Sequence, residues 1–227
     1  MNSPQERLDA VRSRIREACA RSGRPELAVT LVAVSKTKPW SEVRPFVELG
    51  VRDFGENYVQ EALEKRAQAP ELRWHLIGTL QSNKAKFIPN NFCLFHALDS
   101  LSLAQKLDRA AASVGSVQPC LIEVNVDLES SKGGIGEVLL PTLLSQLAAL
   151  ENVRVEGLMC IPAPMAGRDP RRPFAQLRAI RDALLVSGVY PGKLPLLSMG
   201  MSADFEAAIE EGSTHVRVGT TLFGARS

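Results

Sequence analysis

The chain predicts an α/β fold: a single closed (β/α)8 TIM barrel over residues 1–227, with one extra helix at its N-terminal end. Three observations lead there. Eight short runs are apolar nearly throughout rather than alternating, as strands covered on both faces are. Helical patterns fill most of the gaps between them, which suits parallel strands joined by helical crossovers. No Gly-x-Gly-x-x-Gly fingerprint follows the first strand, which disfavours an open dinucleotide-binding sheet.

The elements follow in order. Residues 1–23 (MNSPQERLDAVRSRIREACARSG) place apolar positions at helical spacing among charges, so a first helix is expected; the stretch lacks the apolar centre of a secretion signal. Strands are expected at residues 29–35, 51–55, 74–78, 94–98, 120–126, 153–161, 194–198 and 215–218. Helices are expected at 41–49, 59–68, 101–114, 139–150, 174–187 and 203–211, with a shorter one at 81–87. The last long one opens on Ala203-Asp204-Phe205-Glu206 and meets its stop signal at Gly212.

Composition narrows the function. With 227 residues, 45% of them hydrophobic, the chain can enclose one sizeable core. Its 27 basic and 25 acidic residues leave a net charge of only +2, and no basic run is present. Neither a nucleic-acid nor a membrane partner is expected from such a balance. No apolar run reaches the length of a membrane span. The four cysteines, at 19, 93, 120 and 160, form no Cys-x-x-Cys pair and read as buried free thiols of a cytoplasmic protein. His75, His96 and His215 each sit inside a strand run without a metal-motif partner, so no zinc site is expected.

Chemistry is concentrated at two places. In LVAVSKTKP, Lys36 stands where the apolar run 31–34 ends in a turn. A lysine there either snorkels to water or keeps its amine at the edge of the interior, where partial burial disfavours the ammonium form. A neutral amine attacks aldehydes. Near the other end, SMGMS follows the seventh strand and GTTLFG the eighth. Glycine beside hydroxyl residues just past a strand makes a phosphate cradle, and in such barrels the loops after strands seven and eight are where phosphates bind. Closure brings strand one beside strand eight, so lysine and cradle share one mouth. An aldehyde and a phosphate on one small ligand describe pyridoxal 5′-phosphate. Glu56 and Asn57, residues 78–84 and residues 130–134 are expected on the same face. Arg217 precedes Gly219 by two residues and points inward with it. There it meets either a core carboxylate or a ligand ring nitrogen.

Taken together, AVSKTKP, FGENYVQE, WHLIGTLQSNK, VNVDLESSKGG, GLMCIPAP and SMGMSADFEAAIEEGSTHVRVGTTLFGAR resemble the pyridoxal phosphate homeostasis family, over essentially the whole chain. The resemblance implies the barrel of alanine racemase without its second domain. It implies that Lys36 forms the Schiff base and that Arg217 faces the pyridine nitrogen. It further implies phosphate contacts from Ser202, Gly219 and Thr220, with Met201 and the backbone around Gly200 lining the pocket. Asn57 matches a polar residue near the cofactor ring, and His75 a further family position. Leu76 stands where Phe is common and Thr79 where His or Pro is; neither departure touches these assignments.

Three functions are weighed. Racemisation needs an acid/base on each face of the bound ligand. In the racemases that this barrel resembles, the second one is a tyrosine from a further C-terminal domain, which is not expected here. The only tyrosines are Tyr58, next to Asn57, and Tyr190, in a turn before strand seven. An arginine at the ring nitrogen can only donate, which leaves the cofactor a weaker electron sink. A monomeric carrier that holds pyridoxal phosphate and hands it to apo-enzymes is therefore expected over an amino-acid racemase. A barrel binding a phosphate sugar or nucleotide without aldehyde chemistry is the third reading. Lys38, Lys84 and Lys132 are the candidates for assisting exchange at the mouth.

Overall fold

The computed structural model describes residues 3–127, 133–163 and 169–224. The first helix, α1 (Pro4–Arg21), starts where proline costs nothing and is closed by a capping box. Ser3 Oγ accepts from the Glu6 amide at 3.2 Å, and the Glu6 carboxylate accepts from the Ser3 amide at 2.7 Å. Its buried residues, Leu8, Val11, Ile15, Ala18 and Cys19, recur every three or four positions on one face.

Strands and helices then alternate. They run β1 (Thr30–Val34), α2 (Trp40–Glu48), β2 (Asp53–Glu56), α3 (Val59–Arg66), β3 (Arg73–Leu76), a 3-10 turn (Ser82–Phe87), β4 (Leu94–Leu98) and α4 (Leu101–Ser113). The second half continues β5 (Gln118–Glu123), α5 (Leu140–Leu147), β6 (Val153–Met159), α6 (Arg172–Ser187), β7 (Leu196–Met201), α7 (Phe205–Glu210), β8 (His215–Val218) and α8 (Thr220–Phe223). The strands pair in sequence order, all parallel, and β1 pairs with β8 to close the barrel. At that seam Thr30 faces His215, Val32 faces Arg217 and Ala33 faces Val218.

Alternation along each strand divides the side chains into two sets. One set, including Phe54, Trp74, Leu76, Val216 and Val218, is buried in the main apolar core. The other fills the barrel itself: a Cβ added to Gly55 would meet Val32 at 3.0 Å and Ile77 at 3.2 Å, so neighbouring strands meet across the interior there. Helix α1 lies on the last units of the barrel. Arg14 pairs with Glu206 at 2.6 Å and covers the Phe205 ring, and Arg24 donates to the Ile209 carbonyl at 2.7 Å.

The eight strands stand where the sequence places them, with shifted ends. β5 stops at Glu123 rather than 126, because the chain turns away and meets itself again in an isolated bridge between Val124 and Ile135. β6 likewise ends at Met159 rather than 161. β7 continues to Met201, past the expected end at 198, since Gly200 carries the strand through at φ 91°. The short helix α8 is not foreseen; the GTTLFG segment that forms it reads from sequence only as a loop.

Candidate active-face pocket

Lys36 occupies the turn directly after β1, half-buried. Its neighbours fix that turn. Thr37 takes a left-handed φ of 65°, and its amide donates to Glu61 Oε1 at 2.6 Å. Lys65, a buried lysine on α3, donates to the Ser35 carbonyl at 2.6 Å and reaches both Glu56 Oε1 and Glu61 Oε1 at 2.7 Å. Ser35 Oγ adds a 2.6 Å bond to the same Glu56 oxygen. Four polar side chains thus clamp the backbone on either side of Lys36. Burial pushes the Glu56 carboxyl up even with Lys65 beside it. Glu56 therefore belongs beneath α3, a correction to its expected place on the active face: it is the last residue of β2 and faces the helix layer, not the mouth.

On the far side of the β1–β8 seam, Ser202 Oγ accepts from the Gly219 amide at 3.2 Å and the Thr221 amide at 3.5 Å. The hydroxyl thus collects backbone donors at the start of α8. The loops approach closely here: a Cβ on Gly219 would come within 3.3 Å of the Val34 carbonyl oxygen, and one on Gly200 within 2.5 Å of Ala208. Asn57 is packed against the next loop, where a Cβ on Gly78 would meet its carbonyl oxygen at 2.6 Å.

Arg217 is 4% exposed and enters from β8. Its Nη1 donates to Ser198 Oγ at 2.6 Å and its Nη2 to the Cys160 carbonyl at 2.9 Å. Among the described residues the guanidinium is held by a hydroxyl and a carbonyl rather than paired with a core carboxylate. Burial lowers its pKa, and the nearby Cys160, Glu123 and Asp204 oppose that.

All seven expected residues, Lys36, Asn57, Met201, Ser202, Arg217, Gly219 and Thr220, line one cavity of about 410 Å³ at the C-terminal ends of the strands. That is an ordinary size for a small-molecule site. Gly78, Thr79 and Glu123 complete the wall with a few apolar residues. Glu123 is not singled out by sequence reasoning; the signal is a lone carboxylate within an otherwise apolar strand run. Burial pushes it up, and Arg217 pulls the other way. Ser198 is likewise not singled out, since it reads only as the last residue of the expected seventh strand.

Other expectations fare differently. Tyr58 is 62% exposed at the start of α3, and the Tyr190 hydroxyl accepts from the Val155 amide near the start of β6; neither lines the cavity. Lys38 pairs with Glu42 at 3.2 Å, and Lys84 lies over Phe87; these two are outside the cavity wall as well. Residues 130–132, with Lys132, fall outside the described residues, as do Pro164 and residues 225–227. Cys93 is exposed, correcting the expectation that all four thiols are buried, because it precedes β4 rather than lying within it. All four cysteines are free. Among the described residues there is no cluster of metal-ligating side chains, and no helix is long and apolar enough to cross a membrane. The described residues that line a larger groove of about 650 Å³ beside α6 include no lysine, arginine or histidine.

The ligand-carrying groups fit pyridoxal phosphate on chemical grounds: an amine, a set of backbone donors at a hydroxyl, and a donor-only guanidinium around one cavity. The fold and pocket define a barrel of the alanine racemase N-terminal domain class, and the model of that domain matches residues 7–227. The chain belongs to the pyridoxal phosphate homeostasis protein family. It is 46% identical to the protein of that name from Aquifex aeolicus, covering 97% of both chains. It is also 46% identical to that from Pseudomonas aeruginosa, covering 100% of this chain and 97% of the other. PipY of Synechococcus elongatus PCC7942, solved with PLP bound, superposes with a TM-score of 0.84 at 39% identity, over 98% of this chain and 100% of that one.

Proposed function

We propose that this chain binds pyridoxal 5′-phosphate at the pocket above, tethers it through Lys36, and holds it for intracellular supply rather than turnover. The convergence of Lys36, Ser202, Arg217, Gly219 and Thr220 on one cavity carries this reading. The family's name and the PLP-bound PipY structure support it. When bound, the cofactor supplies an aldehyde that condenses reversibly with amines. Lys36 would supply the amine that tethers it. Ser202 and the Gly219, Thr220 and Thr221 backbone would receive the phosphate. Arg217 would face the pyridine nitrogen as a donor-only group. Asn57 and Met201 bound the ring.

Neither tyrosine reaches the cavity, so no such residue opposes Lys36 as a second acid/base. That supports storage and delivery to pyridoxal-phosphate-dependent apo-enzymes over racemisation. The free thiols support a cytoplasmic setting, and we read the working unit as a monomer.

The test is the visible absorbance of wild type and Lys36→Ala titrated with pyridoxal phosphate, followed by turnover assays on alanine and serine. A band in wild type alone, with no turnover, is expected. No band in wild type would remove the assignment, an equal band in both would move the tether to another lysine, and turnover would make the chain an enzyme.

A further inference from the structure

Below the pocket, hydrogen bonds run unbroken through the barrel interior. From Arg217 Nη1 the path passes to Ser198 Oγ at 2.6 Å, to His96 Nδ1 at 2.9 Å, and from His96 Nε2 to His75 Nδ1 at 3.0 Å. His75 Nε2 then reaches Asp53 Oδ1 at 3.0 Å, and Arg73 Nε donates to that oxygen at 2.7 Å. Ser198, His96, His75 and Asp53 are all buried, whereas the Arg73 side chain is 60% exposed. Asp53 and Arg73 are the first residues of their strands, so the path links the cavity wall to solvent at the opposite end of the barrel. Five strands contribute to it, and nothing in the binding reaction requires it.

We propose that Asp53, His75 and His96 are positioning residues for Arg217, and that one proton stored on this path sets the direction of its hydrogen bonds and of the Ser198 hydroxyl. This rests on the reading of Arg217 as a ligand contact.

With His96 neutral and Asp53 ionised, two arrangements satisfy every link. With the extra proton, imidazolium His75 donates to Asp53 and to His96 Nε2, and neutral His96 donates from Nδ1 to Ser198 Oγ. That oxygen then accepts twice, from His96 and Arg217, and its own O–H is released. Without the proton, Ser198 O–H donates to His96 Nδ1, and His96 donates from Nε2 to His75 Nδ1. Neutral His75 still donates to Asp53. One proton leaves, His96 changes tautomer, and Arg217 loses a neighbouring positive charge.

The surroundings favour the protonated arrangement at neutral pH. Around His75 stand Asp53 from β2, Arg73 from its own strand, Cys93 before β4, His96 from β4 and His215 from β8. Burial lowers the pKa of His75, but its hydrogen bonds to Asp53 and Cys93 outweigh that and hold it at about 9. Burial, His75, His215 and Arg217 all push His96 well down, so it stays neutral. His215, pushed by burial and His75 to about 3, is neutral too.

The first arm needs no ligand and no variant: ¹⁵N NMR of the histidines in the wild-type protein across pH 5 to 10.5. His75 is expected to lose its proton near pH 9, and His96 to switch from Nδ1–H to Nε2–H at the same midpoint. A His96 tautomer that persists through the His75 titration, or a His75 midpoint near the ordinary value of about 6.5, overturns the proposal. The second arm compares Kd for pyridoxal phosphate in wild type and Asp53→Asn at pH 7.5. A loss of about tenfold is expected from one mis-set charge-assisted hydrogen bond, with the His75 midpoint falling in the same variant. Unchanged Kd alongside the lowered midpoint overturns the positioning role. If wild type shows no absorbance band with the cofactor, the functional reading fails separately, and the NMR arm still decides the proton path.

Discussion

Lys65 carries its charge where a lysine is rarely found: 5% exposed, with three acceptors in reach and two of them carboxylates. Removing it leaves Glu56 as an uncompensated buried charge. Lys65→Met is expected to cost about 3–5 kcal/mol, seen as a lower urea midpoint, and Glu56→Gln in that background should restore part of the loss. The Asp53–His75 pair has a pH signature as well. Burial raises the Asp53 carboxyl, but the hydrogen bonds from His75 and Arg73 prevail and hold it at about 2. A depressed carboxyl stabilises above its unfolded pKa of about 4 and loses that contribution as pH falls through about 2. Raised His75 contributes fully below about 6.5 and fades as pH rises through about 9. The Tm gap between wild type and Asp53→Asn should therefore be widest between those limits and narrow at alkaline pH; an unchanging gap up to pH 10 would contradict the pairing. Sequence reading reaches Lys36, Asn57, Ser202 and Arg217 because their residue types stand at strand ends. It cannot reach the Lys65–Glu56 pair or the histidine path, since these depend on which face of a strand meets which neighbour, and no local spacing encodes that.

At the level of elements, the strand cores are legible and their ends are not. An apolar run reports burial, but where a ladder stops depends on the adjoining loop. Glu123 ends β5 because the chain folds back to Ile135, and a Ser-Met-Gly sequence that looks like a break continues β7. Close strand approach also escapes sequence. A Cβ on Gly157 in β6 would lie 1.8 Å from the Leu196 carbonyl oxygen of β7, a backbone atom that cannot swing aside. Gly157→Ala is expected to destabilise by about 3 kcal/mol or more, or to prevent folding, as measured by denaturant unfolding. Gly78→Ala presses instead on the Asn57 carbonyl, at 2.6 Å, so its effect should fall on ligand affinity as well as on stability.

For the molecule as a whole, eight apolar runs with helices between them suffice to name a closed barrel. A ligand bound at its mouth should stiffen all of it together. At a hundredfold excess over Kd, pyridoxal phosphate is expected to stabilise wild type by about 2.7 kcal/mol, which for a chain of this size raises Tm by about 5–10 °C. Lys36→Ala should lose most of that shift in a melting experiment.

The seam between β1 and β8, with α1 lying across α7 and α8, has a consequence in time. A ribosome makes β1 and α1 first, and the surfaces they rest on last. Until the segment bearing His215, Val216 and Val218 has emerged, β1 has one open edge and the apolar stripe of α1 has no partner. Early folding is therefore limited to partial stacks of strand and helix with an adhesive edge. Completion waits on a contact between segments nearly the whole chain apart, which makes closure slow in any refolding from denaturant. Nascent chains halted before β8 should be the ones that chaperones hold longest.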